Sequence, residues 1–264
     1  MSRVEGDTAL QSDTLEDLVE AYRYRRWLVS LALPYLGDDA LEVGSGLGHY
    51  AEDWAKAGIP KLTATEADPV RLALLRKRFL RNSTVNVEEL GVPIERAANH
   101  SAVVAYNVLE HIPDDVAALG SFSGLLRPGG AVVLIVPAFP SAMSEFDRAI
   151  GHQRRYRRRS LRDALESAGL RVEVLHYVNA VGLLGWYIAV KALRGRPRAG
   201  ALLTAYDRVV VPAMRPIEAR RHPPFGQSLF AVARRPSHGG APVMRQGPVN
   251  GSARLQMQTT GGAG

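Results

Sequence analysis

The stretch ALEVGSGLGHY, residues 40–50, decides how this chain is to be read. An apolar run ends in the acid Glu42. Glycines then follow at alternate positions, Gly44, Gly46 and Gly48, with Ser45 between the first two. Small residues behind a strand let the chain turn sharply and let backbone N–H groups approach a ligand closely. A dinucleotide turn would read G-x-G-x-x-G. Here the last glycine of that pattern is replaced by His49, so the spacing is G-x-G-x-G and a nicotinamide dinucleotide is disfavoured.

The next strand, KLTATEADP, ends in Glu66 and Ala67. A carboxylate at a strand tip can accept hydrogen bonds from both vicinal hydroxyls of a ribose. Farther on, in AVVAYNVLEHIPDD, an apolar strand ends at Asn107, and Val108 leads toward a helix opening at Pro113. The carboxyl ends of parallel strands line the ligand crevice, so Asn107 and Val108 are expected to face a cofactor.

Strand-like runs at 40–43, 61–66, 84–88, 101–106, 130–136, 171–178 and 227–235 alternate with helical stretches near 47–57, 69–81, 113–126 and 160–168. That alternation predicts an α/β fold, a doubly wound Rossmann-like sheet of seven strands with helices on both faces. A helix over 14–36 precedes it, so residues 1–37 are read as an N-terminal helical segment and 38–236 as the main domain. Insertions at about 137–160 and 179–226 are predicted to form a helical cap. The Gly/Pro/Ser/Gln-rich residues 237–264 are expected to be disordered. The uninterrupted apolar run AVGLLGWYIAV (180–190) falls well short of the ~20 residues of a spanning helix, so a buried or pocket-lining helix is expected there. Its neighbours Lys191, Arg194, Arg196 and Arg198 leave open a peripheral contact with anionic lipid.

Taken together, LEVGSGLG, the acidic TATEADP, NVLEHI and LLRPGGAVVLIVP, in this order, resemble a class I S-adenosylmethionine-dependent methyltransferase over about residues 38–136. The later elements resemble a bacterial branch with diverse small-molecule substrates. The resemblance implies that the glycine turn with Glu42 cradles the methionine part of the cofactor, that Glu66 binds its ribose, and that the region after the third strand flanks adenine. Many relatives carry an acid at that last place. Here VNVEELGVP offers Gly91, so backbone groups around Leu90 and Gly91 are expected to hold the base.

A sulfonium methyl is already activated, so the protein mainly aligns the acceptor, and a base is needed only where the acceptor must lose a proton. His111 and His152 are the candidate catalytic residues, each with the alternative of a hydrogen-bonded structural histidine. Glu145, Arg154, Arg155 and Tyr156 are candidate substrate contacts, because arginine forks match carboxylates and phosphates. Arg157, Arg158 and Arg159 read instead as the exposed start of a helix. Asp114 and Asp115 read as dipole partners at a helix start, and no metal is expected.

Composition narrows the setting. The chain of 264 residues has no cysteine, which excludes disulfides and thiolate nucleophiles, and its N-terminus has no apolar signal core; a cytoplasmic protein is expected. Residues 1–136 hold 13 Lys/Arg against 19 Asp/Glu, and residues 137–264 hold 20 against 7, so an anionic partner would meet the second half. The expected reaction is methyl transfer to O, N or C of a small molecule, such as a secondary metabolite or a lipid- or sugar-linked intermediate with an anionic group. A nucleic-acid methyltransferase and a non-catalytic cofactor-binding module are the rival readings. The first is disfavoured because the basic run has no interleaved aromatics and NVLE replaces the box of base-modifying enzymes.

Overall fold

The computed structural model describes residues 21–94, 96–188 and 200–237. The first turns of the expected N-terminal helix, the basic residues between 191 and 198, and the tail from 238 lie outside the described residues. Seven strands form one sheet: β1 (Asp39–Glu42), β2 (Lys61–Glu66), β3 (Val85–Glu89), β4 (His100–Tyr106), β5 (Leu126–Pro137), β6 (Arg171–Val178) and β7 (Ser228–Arg234). Their order is β3-β2-β1-β4-β5-β7-β6. All neighbours are parallel except β7, which runs antiparallel to both β5 and β6. The doubly wound, Rossmann-like α/β fold read from the sequence is the fold observed.

The central strands explain why both faces are covered. β4 is buried throughout, and β5 is buried from Gly130 to its end. Successive side chains serve opposite cores: Val104 and Val133 pack with Trp27, Trp54 and Phe230, while Val103 and Val132 pack with Phe122, Leu161 and Leu229. A continuous apolar run is what a doubly covered strand requires. Helices α1 (Tyr22–Leu36), α2 (His49–Lys56) and α3 (Pro69–Phe79) contribute to the first core. Helices α4 (Asp115–Gly124) and α6 (Arg158–Ser167) contribute to the second.

Local chemistry sets the helix starts. Asp68 accepts from Val70 N and Arg71 N at the head of α3, with Pro69 in the first turn, where its missing N–H is harmless. Asp114 caps α4 through Ala117 N, so that helix begins at Asp115 rather than at Pro113. β5 starts four residues earlier than its apolar pattern suggests, because Leu126 pairs with His100 before a register shift.

The insertion after β5 closes on itself. Phe139 N donates to Tyr156 O and Tyr156 N donates to Pro137 O, which pins a loop carrying α5 (Glu145–Ala149). The second insertion carries α7 (Ala180–Trp186), α8 (Ala201–Ala205), a π-helical turn (Tyr206–Val210) and α9 (Val211–Arg220). The two insertions meet at Trp186, whose Nε1 donates to Ala142 O at 3.0 Å and whose ring lies under the Arg155 guanidinium at 4.6 Å.

Candidate active site

The glycine turn leaves the carboxyl end of β1 and enters α2. Gly44 has φ +68° and Gly48 φ +80°, backbone conformations that side chains resist. Space imposes a second demand. A Cβ on Gly44 would stand 2.8 Å from Val108 Cγ2, and one on Gly48 would stand 2.6 Å from Leu75. The turn is held to β2 by Ser45, whose N donates to Thr65 O at 2.7 Å while its hydroxyl accepts from Thr65 N at 3.0 Å.

Glu42 lies beneath this turn, 2% exposed, and its Oε2 has no hydrogen-bond partner among the described residues. Burial, opposed by the Ser45 hydroxyl and assisted by the charge of Glu66, pushes the Glu42 carboxyl up to about 7. An orphaned buried acid is a standing cost unless a donor or cation arrives to meet it.

Glu66 is more occupied than its place at a strand tip suggests. Its Oε2 accepts from Gly46 N at 2.9 Å, and its Oε1 accepts from Ala67 N and Asp68 N, both at 2.9 Å, with Arg71 Nη2 at 3.4 Å. The carboxylate thus ties the glycine turn to the loop after β2. Oε2 keeps acceptor capacity for one more donor, so a second ribose hydroxyl would have to displace a backbone N–H. Beyond β3, Leu90 is half-buried and its N donates to Glu66 O at 3.3 Å, while Gly91 is exposed with nothing near its absent side chain. Asn107, exposed at φ +53°, and the half-buried Val108 close the crevice from β4.

The first insertion meets the domain at the end of β4. Gln153 N donates to Glu110 O at 2.8 Å, which lays the segment 151–153 against the turn after β4. His111 and His152 meet edge to face there, ring centres 4.6 Å apart. His152 Nδ1 lies 3.1 Å from Asp147 Oδ1, and its Nε2 lies 3.8 Å from Glu110 Oε1. Burial, with the neighbouring His152, pushes the His111 imidazole down to about 4. Burial alone would raise the Asp147 carboxyl, yet the close His152 imidazole and the hydrogen-bonded Arg155 guanidinium hold it well below the usual range. The two histidines expected from the sequence are brought together here, with Glu110 and Asp147, which were not singled out, beside them. Asp147 belongs to a capping box with Ser144 at the head of α5, which the sequence reading did not single out.

The arginine cluster is arranged differently from the expectation. Arg155 is buried and paired with Asp147 at 2.7 Å, and Tyr156 is buried with its hydroxyl donating to Asp115 at 2.8 Å. Arg154 pairs with the same Asp115 at 2.9 Å and donates to Pro113 O. These three residues pin the insertion to the domain rather than offering free forks to a substrate, because a buried guanidinium needs its own carboxylate. Asp115 likewise serves these partners, beside its helix start. Glu145 stands exposed at the head of α5, and Arg157, Arg158 and Arg159 are exposed, as read. An open basic hollow formed by Arg171, Arg234 and Arg235 lies at the amino end of β5, opposite the crevice.

With this geometry in view, comparison with known proteins is informative. A family model described as a methyltransferase domain matches residues 18–175, more than half of the chain. The chain belongs to that family. This methyltransferase domain is 32% identical over 112 residues to the ubiquinone biosynthesis O-methyltransferase of Xanthomonas axonopodis pv. citri (strain 306), a match covering 40% of this chain and 46% of that protein. The chain therefore spans about half the length of the curated relative it matches. Among solved structures it resembles a chain of the complex between the Haloferax volcanii Trm112 methyltransferase activator and a candidate methyltransferase, with TM-score 0.62, 15% identity, and coverage of 89% of this chain and 100% of that one. It also resembles geranyl diphosphate methyltransferase in complex with S-adenosylmethionine, with TM-score 0.56, 15% identity and coverage of 79% and 84%. At these identities the structural likeness speaks for the fold, which is that of class I S-adenosylmethionine-dependent methyltransferases.

The residues present fit that cofactor. The orphaned Glu42 oxygen suits an ammonium, the glycine turn leaves room no Cβ could share, and Glu66 retains an acceptor site. Among the described residues no helix is long and apolar enough to cross a membrane.

Proposed function

We propose that this methyltransferase domain transfers the methyl group of S-adenosylmethionine to an oxygen of a small, partly apolar acceptor that enters beneath the helical cap. The observation that carries the cofactor half is the unpartnered Glu42 oxygen under the glycine turn, since the cofactor's ammonium is the kind of group that would satisfy it. Bound S-adenosylmethionine supplies an electrophilic methyl group. The chain's own task is to hold that methyl in line with the acceptor and to exclude water, work that positioning can perform at roughly 7–11 kcal/mol in the best cases.

Two features support the acceptor half. The curated relative's name specifies O-methylation. The cap exposes Val181, Leu184, Ile188, Leu202, Val209 and Ile217, apolar groups suited to an acceptor with an apolar portion, such as a lipid-linked intermediate or a secondary metabolite. An anionic acceptor group has less support, because Arg154 and Arg155 are already paired. The proton that an acceptor hydroxyl must lose would pass to water beside the cluster of Glu110, His111 and His152, gathered at the carboxyl end of β4.

Calorimetric titration of the full chain with S-adenosylmethionine and S-adenosylhomocysteine tests the cofactor half. Saturable one-site binding is expected. Transfer of labelled methyl to a panel of phenolic and aliphatic hydroxyl acceptors tests the second half. Absence of cofactor binding would remove the reading altogether.

A further inference from the structure

Glu110, His111 and His152 each bring one ligand-type atom into a space where all three lie within 4.8 Å of one another. From this arrangement we infer a divalent metal site that joins the turn after β4 to the first insertion, with zinc or a similar borderline cation as its occupant.

Charge is the first ground. Glu110 is fully buried, and among the described residues neither of its carboxyl oxygens has a hydrogen-bond partner. The neighbouring acid, Asp147, is matched by the buried Arg155 at 2.7 Å. Among the described residues no lysine or arginine pairs directly with Glu110, and a buried carboxylate without such a partner is strongly disfavoured. The groups aimed at it are imidazoles, which serve as metal ligands when neutral.

Orientation of the imidazoles is the second ground. Metal-bound histidines almost always give their other ring N–H to a carboxylate or a carbonyl, which fixes the tautomer and the ring. His152 sets Nδ1 3.1 Å from Asp147 Oδ1, a close contact outside hydrogen-bond alignment that still turns Nε2 toward Glu110. His111 hydrogen-bonds the Gly151 carbonyl. Both rings are thus braced from behind by partners that are themselves fixed: Asp147 by Arg155 and Ser144, Gly151 by its N–H donating to Arg148 O.

Distance is the third. Two ligands about 2.1 Å from a tetrahedral ion stand about 3.4 Å apart. Glu110 Oε1 and His152 Nε2, at 3.8 Å, already approach that separation. Two imidazoles and one carboxylate select a borderline first-row cation over calcium or magnesium, which favour all-oxygen sets. Three protein ligands also leave a coordination position open. Both histidines are only partly buried, so the open position can be reached from the crevice.

The inference deepens the proposed transfer and rests on it only for what the ion does. An acceptor hydroxyl bound at the open position would lose its proton to water more readily. Its oxygen would then form the new C–O bond while the C–S bond breaks, and the bonding pair would go to sulfur to give S-adenosylhomocysteine. Occupancy itself is independent of cofactor and acceptor.

The test uses the untagged full chain, stripped with chelator and titrated with cobalt(II) chloride and then zinc sulfate, with neither cofactor nor acceptor present. One equivalent of cobalt should produce visible d–d absorption, and zinc should abolish it stoichiometrically. Glu110→Gln and His152→Ala should lose the absorption, and Asp147→Asn should weaken zinc binding by about 10–100-fold. Because Asp147 also holds Arg155, circular dichroism of each variant must match the wild type for its loss to count. The wild-type spectrum does not depend on any variant folding. A stripped wild-type chain that gives no d–d bands with cobalt and no zinc-dependent rise in melting temperature would overturn the site. So would bands that persist in both Glu110→Gln and His152→Ala. Cofactor calorimetry on the same stripped chain shows separately whether the methyltransferase reading stands.

Discussion

The residue that says most about this domain is Glu42, because its environment is wrong for a carboxylate until something cationic binds. Its folded-state value of about 7 lies above the 4.5 of an unperturbed glutamate. A raised carboxyl favours the folded state while it is protonated. Its contribution to stability is therefore complete below pH 4.5 and is lost as pH rises to about 7. Glu42→Gln should flatten that stretch of the stability–pH curve in the cofactor-free chain. A cofactor ammonium reverses the preference, since a nearby positive charge favours the ionised acid. Binding of S-adenosylmethionine at pH 6 should thus release protons, seen as a dependence of the calorimetric enthalpy on the buffer's ionisation heat. In Glu42→Gln the release should vanish, and affinity should fall by about 10- to 150-fold, the equivalent of a charged hydrogen bond. Equal proton release in both proteins would show that Glu42 does not face the ammonium. The sequence marked Glu42 by its place before the glycines, but its missing partner is a fact about three-dimensional surroundings.

At the scale of elements, the cap is fastened to the front of the domain by helix ends. Asp207, in the π-helical turn, accepts from Arg23 N at 3.1 Å and Tyr24 N at 2.8 Å, so a residue of the second insertion caps α1 across 184 positions of sequence. Glu218 of α9 does the same for α7, accepting from Asn179 N and Ala180 N, both at 2.9 Å. A carboxylate at a helix N-terminus satisfies orphan donors and complements the helix dipole. Asp207→Ala should cost about 1–2 kcal/mol, a fall in melting temperature of roughly 2–8 °C for a domain of this size. Asp207→Asn, which can still accept one bond, should recover part of it. An alanine variant that melts with the wild type would mean the contact does not hold the cap. Strands and interior helices were legible because their apolar periodicity is local: AVVAY and AVVLIVP can be buried on both faces in only one way. These tertiary caps were not. Nothing near Asp207 in sequence distinguishes it from a surface acid, and Arg155 looked like a ligand fork because its partner Asp147 was hidden in a capping box.

The whole molecule separates its two tasks. On the proposed reading, cofactor groups come from the turns after β1, β2 and β4, which the rigid sheet positions, whereas the acceptor side comes from two insertions, the second of which also buries Val211 and Met214 in the first core. The neck of one insertion is pinned by Asn179 and Gln227, that of the other by Tyr156. The division of charge along the chain follows the same line, with the acidic half carrying the glycine turn and Glu66 and the basic half carrying most of the two insertions. Such a plan lets acceptor preference vary without disturbing cofactor affinity. It also predicts how acceptors should rank. If the apolar cap meets the acceptor's apolar portion, each methylene buried contributes about 0.8 kcal/mol, so KM should fall about fourfold per carbon along a homologous series until the surface is filled. Leu184 of α7 and Ile217 of α9 are exposed in the absence of acceptor, so replacing both by serine should leave folding and the cofactor Kd unchanged. In that double variant the chain-length dependence of KM should flatten, with the shortest acceptors least affected. A KM independent of chain length in the wild type, or an equal slope in the double variant, would place the acceptor's apolar portion elsewhere. A matching loss of cofactor affinity would show instead that cap and sheet do not act as separate parts.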